Sequence, residues 1–203
     1  MDARIDQLAP GKRGGCNTWL VGDTDEVIVV DPGRDAEAVL AAVSDREILA
    51  VICTHGHPGH VAAALEVAAR DEAPVALHPR DVLAWREAHR GREPDIDMAE
   101  GGIFEVAGVA LEVIHTPGHS PGSVSLYCEQ LGVVFSGDAL TADGPAPHAG
   151  EYPDFPGQLS AIGQELLTLP DETRVLPGHG EETTVETAGK LFDSWVAAGP
   201  LPD

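Results

Sequence analysis

Basic side chains are scarce in this chain. Among 203 residues there are 12 lysines and arginines against 34 aspartates and glutamates, a formal charge of −22 at pH 7. Such a surface repels a phosphate backbone, so neither nucleic acid nor an anionic membrane is an expected partner, and a small-molecule substrate is favoured. Cysteine is also rare. Cys16, Cys53 and Cys128 are odd in number and far apart, and none stands in a C-x-x-C. No disulfide framework is expected, and a reducing cytoplasm fits best. Long apolar runs are missing too. The longest, Val27-Ile28-Val29-Val30 and Val61 to Leu65, fall far short of the roughly 18 residues that a membrane span needs. Met1-Asp2-Ala3-Arg4-Ile5-Asp6 has no apolar core of the secretory type, so no signal peptide is expected. Repeats and Gly/Ser linkers are absent, and no internal domain boundary is placed.

What is there is an alternation of short apolar runs and amphipathic stretches. Cys16 to Val21 and Val27 to Val30 read as strands joined by a hairpin-like Gly22-Asp23-Thr24-Asp25. Asp35 to Val43 reads as a helix, Ile48 to Cys53 as a buried strand and His60 to Arg70 as one helix. Further on, Val75 to Leu77, Val109 to Ile114, Ser123 to Tyr127 and Val133 to Phe135 read as strands, and Asp81 to His89, Leu159 to Leu167 and Thr184 to Val196 as helices. Strands and helices mixed in this way predict two sheets covered by helices.

The histidines cluster where a strand gives way to a helix. Thr54-His55-Gly56-His57-Pro58-Gly59-His60 places three imidazoles in six residues, at the kind of junction where α/β proteins build ligand sites. His119 in Pro117-Gly118-His119-Ser120-Pro121-Gly122, Asp138 in Ser136-Gly137-Asp138-Ala139 and His179 in Pro177-Gly178-His179-Gly180 each follow an apolar run as well. Imidazole nitrogen and carboxylate oxygen together suit zinc, iron or another first-row cation.

The order and wording of these motifs resemble the metallo-β-lactamase superfamily, especially its short glyoxalase II-like branch. The resemblance runs from Asn17-Thr18-Trp19-Leu20-Val21-Gly22 through Val30-Asp31-Pro32-Gly33 to Pro177-Gly178-His179-Gly180. It implies an α+β fold, an αββα sandwich of two mixed sheets flanked by helices, as a single domain over residues 1–203 without an additional C-terminal helical domain. It implies a first metal on His55, His57 and His119, with Asp138 able to bridge to a second metal on His60 and His179. One or two Zn2+ are the expected cofactors, and Asp31 is the expected acid behind a ligand. A homodimer is compatible with the fold.

One departure matters. The family's H-x-H-x-D-H motif has an aspartate where this chain has Gly59, so the second site loses an anionic ligand and is expected to be weakened. Gly59 also suits the N-cap of the following helix, and Asp143, His148 or Glu151, in the loop after Asp138, are candidates for a replacement ligand. That loop lacks the Gly-Arg pair usual in glyoxalase II-like proteins and persulfide dioxygenases, which argues against glutathione thioesters. Hydrolysis of an ester-like bond, a thioester first, by a metal-bound hydroxide is the expected activity. Two alternatives stay open: a one-Fe2+ enzyme like the superfamily's persulfide dioxygenases, using His55, His119 and Asp138, and a non-hydrolytic or non-catalytic ligand-binding member. Of the other candidates, His78 and His115 are expected to be structural, His89 solvated at a helix end, and Cys53 a packed thiol.

Overall fold

Strands fall into two six-stranded sheets. In the computed structural model, which describes residues 2–10, 15–147 and 154–199, the first sheet has the order β1 (Arg4–Leu8), β2 (Thr18–Gly22), β3 (Glu26–Val30), β4 (Glu47–Ile52), β5 (Val75–Leu77) and β6 (Ile96–Asp97). The second consists of β7 (Ile103–Val106), β8 (Val109–His115), β9 (Val124–Cys128), β10 (Val133–Gly137), β11 (Arg174–Pro177) and β12 (Thr183–Thr184), also in sequence order. Both sheets are mixed. β3 to β6 run parallel, as do β10 and β11, while the remaining neighbours are antiparallel.

Side-chain alternation explains why the central strands read as unbroken apolar runs. Ile28 and Val30 of β3 and Ala50 and Ile52 of β4 face the second sheet, meeting Leu111, Leu126, Phe135 and Leu176 in one core. Val27, Val29 and Val51 point the other way, into a second core against α1 (Ala36–Val43), α2 (Pro58–Val61), α3 (Ala64–Ala68) and α4 (Val82–Ala88). On the far side, Val134 of β10 and Val175 of β11 pack against the segment after α5 (Phe155–Ala161) and against α6 (Val185–Ala198). Each fully buried branched side chain contributes roughly 1.5–3 kcal/mol of transfer free energy. The four layers are therefore helix, sheet, sheet, helix, the expected αββα sandwich.

Two helices depart from their expected form. Residues 60–70 are not one helix: α2 ends at Val61 and α3 begins at Ala64. The Ala63 amide donates to the Gly33 carbonyl at 2.9 Å instead of to its own helix, so a tertiary partner interrupts the ladder. The helix expected at 159–167 starts earlier. Asp154 caps it, accepting from the Gly157 amide, and Ile162–Leu166 finishes it as a π-turn in which the Leu167 amide donates to the Ile162 carbonyl. Nor does Gly59 cap α2, whose N-cap is His57 and whose first residue is Pro58. All three cysteines are buried free thiols, and Cys53 is packed in the second core. No helix among the described residues is long and apolar enough to cross a membrane.

Candidate metal centre

The sandwich brings five histidines and Asp138 to one edge, where the chain leaves the C-terminal ends of strands. Beyond β4 the chain turns through His55 and His57 into α2, which carries His60; the loop after β8 carries His119, and β10 and β11 lead directly into Asp138 and His179. A register irregularity between Phe135 and Gly137, opposite β11, lies immediately ahead of Asp138. Such bulges re-aim the residue that follows them.

Two groups of ligating atoms result. His55, His57 and His119 present atoms all within 4.8 Å of one another, and so do His55, His60 and Asp138. His119 Nε2 lies 3.1 Å from His57 Nδ1. Asp138 Oδ2 stands 3.3 Å from His60 Nε2, 3.5 Å from His119 Nε2 and 3.9 Å from His55 Nε2, while Oδ1 is 2.8 Å from His179 Nδ1. The carboxylate thus sits between the two groups. His55, His60, His119 and Asp138 are buried, whereas the His179 side chain is 48% exposed.

The surroundings hold His55, His57 and Asp138 in the states a cation requires. Burial, with the charge of His60 second, keeps the His55 imidazole well below its ordinary pKa, and burial lowers His57 too, so both are neutral donors. Burial pushes Asp138 upward, but the charge of His60 and hydrogen bonds from His179 and His60 outweigh it and hold the carboxyl well below the usual range. For His60, burial opposes the charged form, but interactions with Cys16 and with the carboxylates Asp138 and Asp31 on either side of the ring outweigh it and raise it well above the ordinary value, so a cation there must displace its proton. His55 Nε2 is buried with no hydrogen-bond partner. An orphaned buried nitrogen costs about 1–3 kcal/mol, a cost that a coordinated cation removes. The neutral imidazoles of His55 and His57, the ionised Asp138 and this orphan fit a first-row divalent ion.

Backing residues fix these side chains. Asp31 Oδ1 accepts from the Thr54 amide at 2.8 Å, and Oδ2 accepts from the Thr54 hydroxyl at 2.7 Å and meets His60 Nδ1 at 2.9 Å. The Thr54 hydroxyl also lies 3.1 Å from His55 Nδ1. Asn17 donates to the carbonyls of Pro177 and Gly180, both at 3.0 Å, and so clamps the His179 loop to the first sheet. The Gln158 amide donates to the Asp138 and Ala139 carbonyls at 3.1 and 2.9 Å. Gly178 is required by proximity: a Cβ there would lie 2.6 Å from both Asp138 Oδ1 and His60 Cε1. Gly59 is not required, since a Cβ there meets nothing within 4 Å.

A cleft of about 630 Å3 opens over this centre, walled by Arg34, Gly59, Asp143 and Pro145. A hollow of about 590 Å3 elsewhere, between Leu65, Glu72, Arg92 and Asp95, has no histidine or cysteine among the described residues that line it. Asp143 is exposed on the cleft wall, and His148 and Glu151 lie outside the described residues. His78 and His115 stand apart from the centre, stacked on each other at 4.6 Å, with the His115 ring bonded to the Pro121 carbonyl. His89 is not solvated as expected: its Nε2 is 2.8 Å from the Val61 carbonyl and its ring lies against Trp85. Sequence reasoning overlooked Gln158, the clamping role of Asn17 and the buried Asp81. Gln158 and Asp81 have no motif signal of their own, and the stretch that Asn17 opens does not reveal its role, because each acts on backbone brought close by the fold.

Residues 11–179 match the family described as the metallo-beta-lactamase superfamily. The probable metallo-hydrolase YqgX of Bacillus subtilis is 34% identical over 189 residues, covering 84% of this chain and 88% of that protein. The hydroxyacylglutathione hydrolase GloC of Haemophilus influenzae is 28% identical over 185 residues, covering 83% and 87%. Among solved structures, the BLEG-1 B3 metallo-beta-lactamase superposes with a TM-score of 0.81 at 30% identity, over 94% of this chain and 97% of that one. TTHA1623 in a di-iron-bound form gives 0.80 at 30% identity, over 91% and 97%. With the sandwich, the strand-end histidines and these likenesses in agreement, the chain belongs to the metallo-beta-lactamase superfamily.

Proposed function

We propose that this protein is a metal-dependent hydrolase of ester-like bonds, with thioesters as the preferred class. The observation that carries the reading is the convergence of His55, His57 and His119 beside a buried, ionised Asp138 on the floor of an open cleft. These residues would hold a first cation, with His60, His179 and Asp138 toward a second. A cation in such a site supplies Lewis acidity toward a carbonyl and lowers the pKa of water. The chain's own residues contribute orientation and charge. Asp138, fixed through its backbone by Gln158 and through its carboxylate by His60 and His179, keeps a negative group at the boundary of the two ligand groups. Arg34 is the one lysine or arginine among the described residues lining the cleft, and at short range it favours an acyl substrate that carries a negative charge. The names of YqgX and GloC agree with hydrolysis.

An iron enzyme is the second reading, supported by the di-iron form of TTHA1623 and by the His55, His119 and Asp138 set. Elemental analysis of protein purified without added metal or chelator separates the two, when followed by a panel of esters and thioesters and by oxygen-uptake measurements. One or two zinc per chain with thioester turnover is the expected result. About one iron with oxygen consumption moves the assignment to the second reading. Failure to bind zinc or iron, even when offered, removes both and leaves a ligand-binding member of the fold.

A further inference from the structure

Asp81 is a buried carboxylate with an unusual set of partners. It occupies the N-cap position of α4, yet its side chain makes no capping bond to that helix. Instead it reaches across to both loops that carry the first ligand group. Oδ2 accepts from the Gly56 amide at 2.9 Å and from the Ser120 hydroxyl at 2.6 Å, and Oδ1 accepts from the Gly122 amide at 2.6 Å. Gly56 stands between His55 and His57, and Ser120 follows His119. Both glycines are there because nothing larger fits: a Cβ on Gly56 would lie 2.5 Å from the Asp81 carbonyl, and one on Gly122 2.6 Å from Asp81 Oδ1.

We propose that Asp81 is the positioning residue of the first ligand group: by bonding the Gly56 backbone and the Ser120–Gly122 turn at once, it sets the separation of His57 from His119 that a single cation needs. A carboxylate is the side chain for this task, because all three partners are donors and an ionised carboxylate only accepts. Asparagine has the same shape but turns an NH2 toward at least one donor. The proposal rests on the reading of His55, His57 and His119 as a metal site, and its test keeps the two apart.

The test compares metal-free wild type, Asp81→Asn, Ser120→Ala and, as a distant control, Arg46→Met. Arg46 is buried too, and it bonds the Ala42 and Val43 carbonyls and Asp6, away from the cleft. Zinc affinity is measured by competition with a chelating indicator, coordination by the visible spectrum of the Co2+ form, and the His57–His119 contact by 15N imidazole spectra without metal. Asp81→Asn is expected to weaken the first ion by about 10–100-fold, to alter the Co2+ spectrum and to abolish the imidazole contact. Ser120→Ala should do the same to a smaller degree, and it carries the test if Asp81→Asn does not fold. Arg46→Met is expected to lower Tm with unchanged affinity. Wild-type affinity and an intact imidazole contact in both site variants overturn the proposal, as does an affinity loss that follows Tm equally in all three variants. If wild type itself binds no ion, the metal reading fails, and the imidazole spectra still decide whether Asp81 sets the contact.

Discussion

The two halves of the centre are built to different standards. His55, His57 and His119 come from two loops fastened to the same buried carboxylate, with His55 and His57 kept neutral by burial. On the other side His60 is well backed by Asp31, but His179 is half exposed and Gly59 contributes no ligand atom. Burial and backing reduce the freedom that a ligand loses when it coordinates. The first half should therefore hold its cation tightly and the second loosely, although both share Asp138.

Substituting a first-group ligand is the strongest challenge to that contrast. His119→Ala should lower kcat/KM by about 10³-fold, the equivalent of several kcal/mol of lost electrophilic stabilisation, and elemental analysis should show the first ion gone. A fall of only a few-fold would mean that the second half carries the chemistry. Asp31→Asn should weaken the second ion by about 10–100-fold and the first less, because Asp31 meets His60 directly and His55 only through Thr54, as read by titration with two chelators of different strength. It also turns an NH2 toward the Thr54 amide, hydroxyl or His60 ring, so Tm should fall. Equal loss at both sites would erase the distinction between the halves. Gly59→Asp works in the opposite direction. The space beside Gly59 is open and its backbone is not in the left-handed region, so the new carboxylate should raise second-ion affinity by about tenfold, roughly 1.4 kcal/mol. Calorimetric titration showing no gain would mean that a cation there does not face Gly59.

Much of the architecture was readable because the central strands are buried on both faces. Val27 to Val30 and Ile48 to Cys53 are apolar without interruption, and no solvent-facing position dilutes the signal. The edges lack that advantage. Arg4–Leu8, Ile96–Asp97 and Thr183–Thr184 are short, polar or half exposed, and only pairing with a neighbour makes them strands. The break between Val61 and Ala64 was invisible because the Gly33 carbonyl that causes it lies 30 residues away. Asp154-Phe155-Pro156, by contrast, held a readable cap and an early proline, which the apolar periodicity from Leu159 onward masked. The histidines and Asp138 were legible from type and placement alone. Asp81 was not, because an aspartate at the start of a helix ordinarily reads as a cap.

The clamp made by Asn17 has a kinetic consequence. Its bond to the Pro177 carbonyl joins residues 160 apart in the chain, and closing so long a loop is entropically the most expensive way to make a single contact. The His179 loop is thereby tied to an event that waits for both sheets to form and dock. It should be the last part of the cleft to be organised during refolding and the first to open under mild denaturant. The Asn17 amide, which donates to the Gly178 carbonyl at 2.7 Å, is the natural reporter: its hydrogen exchange should outpace that of the β3 and β4 amides, and a bound second ion should slow it.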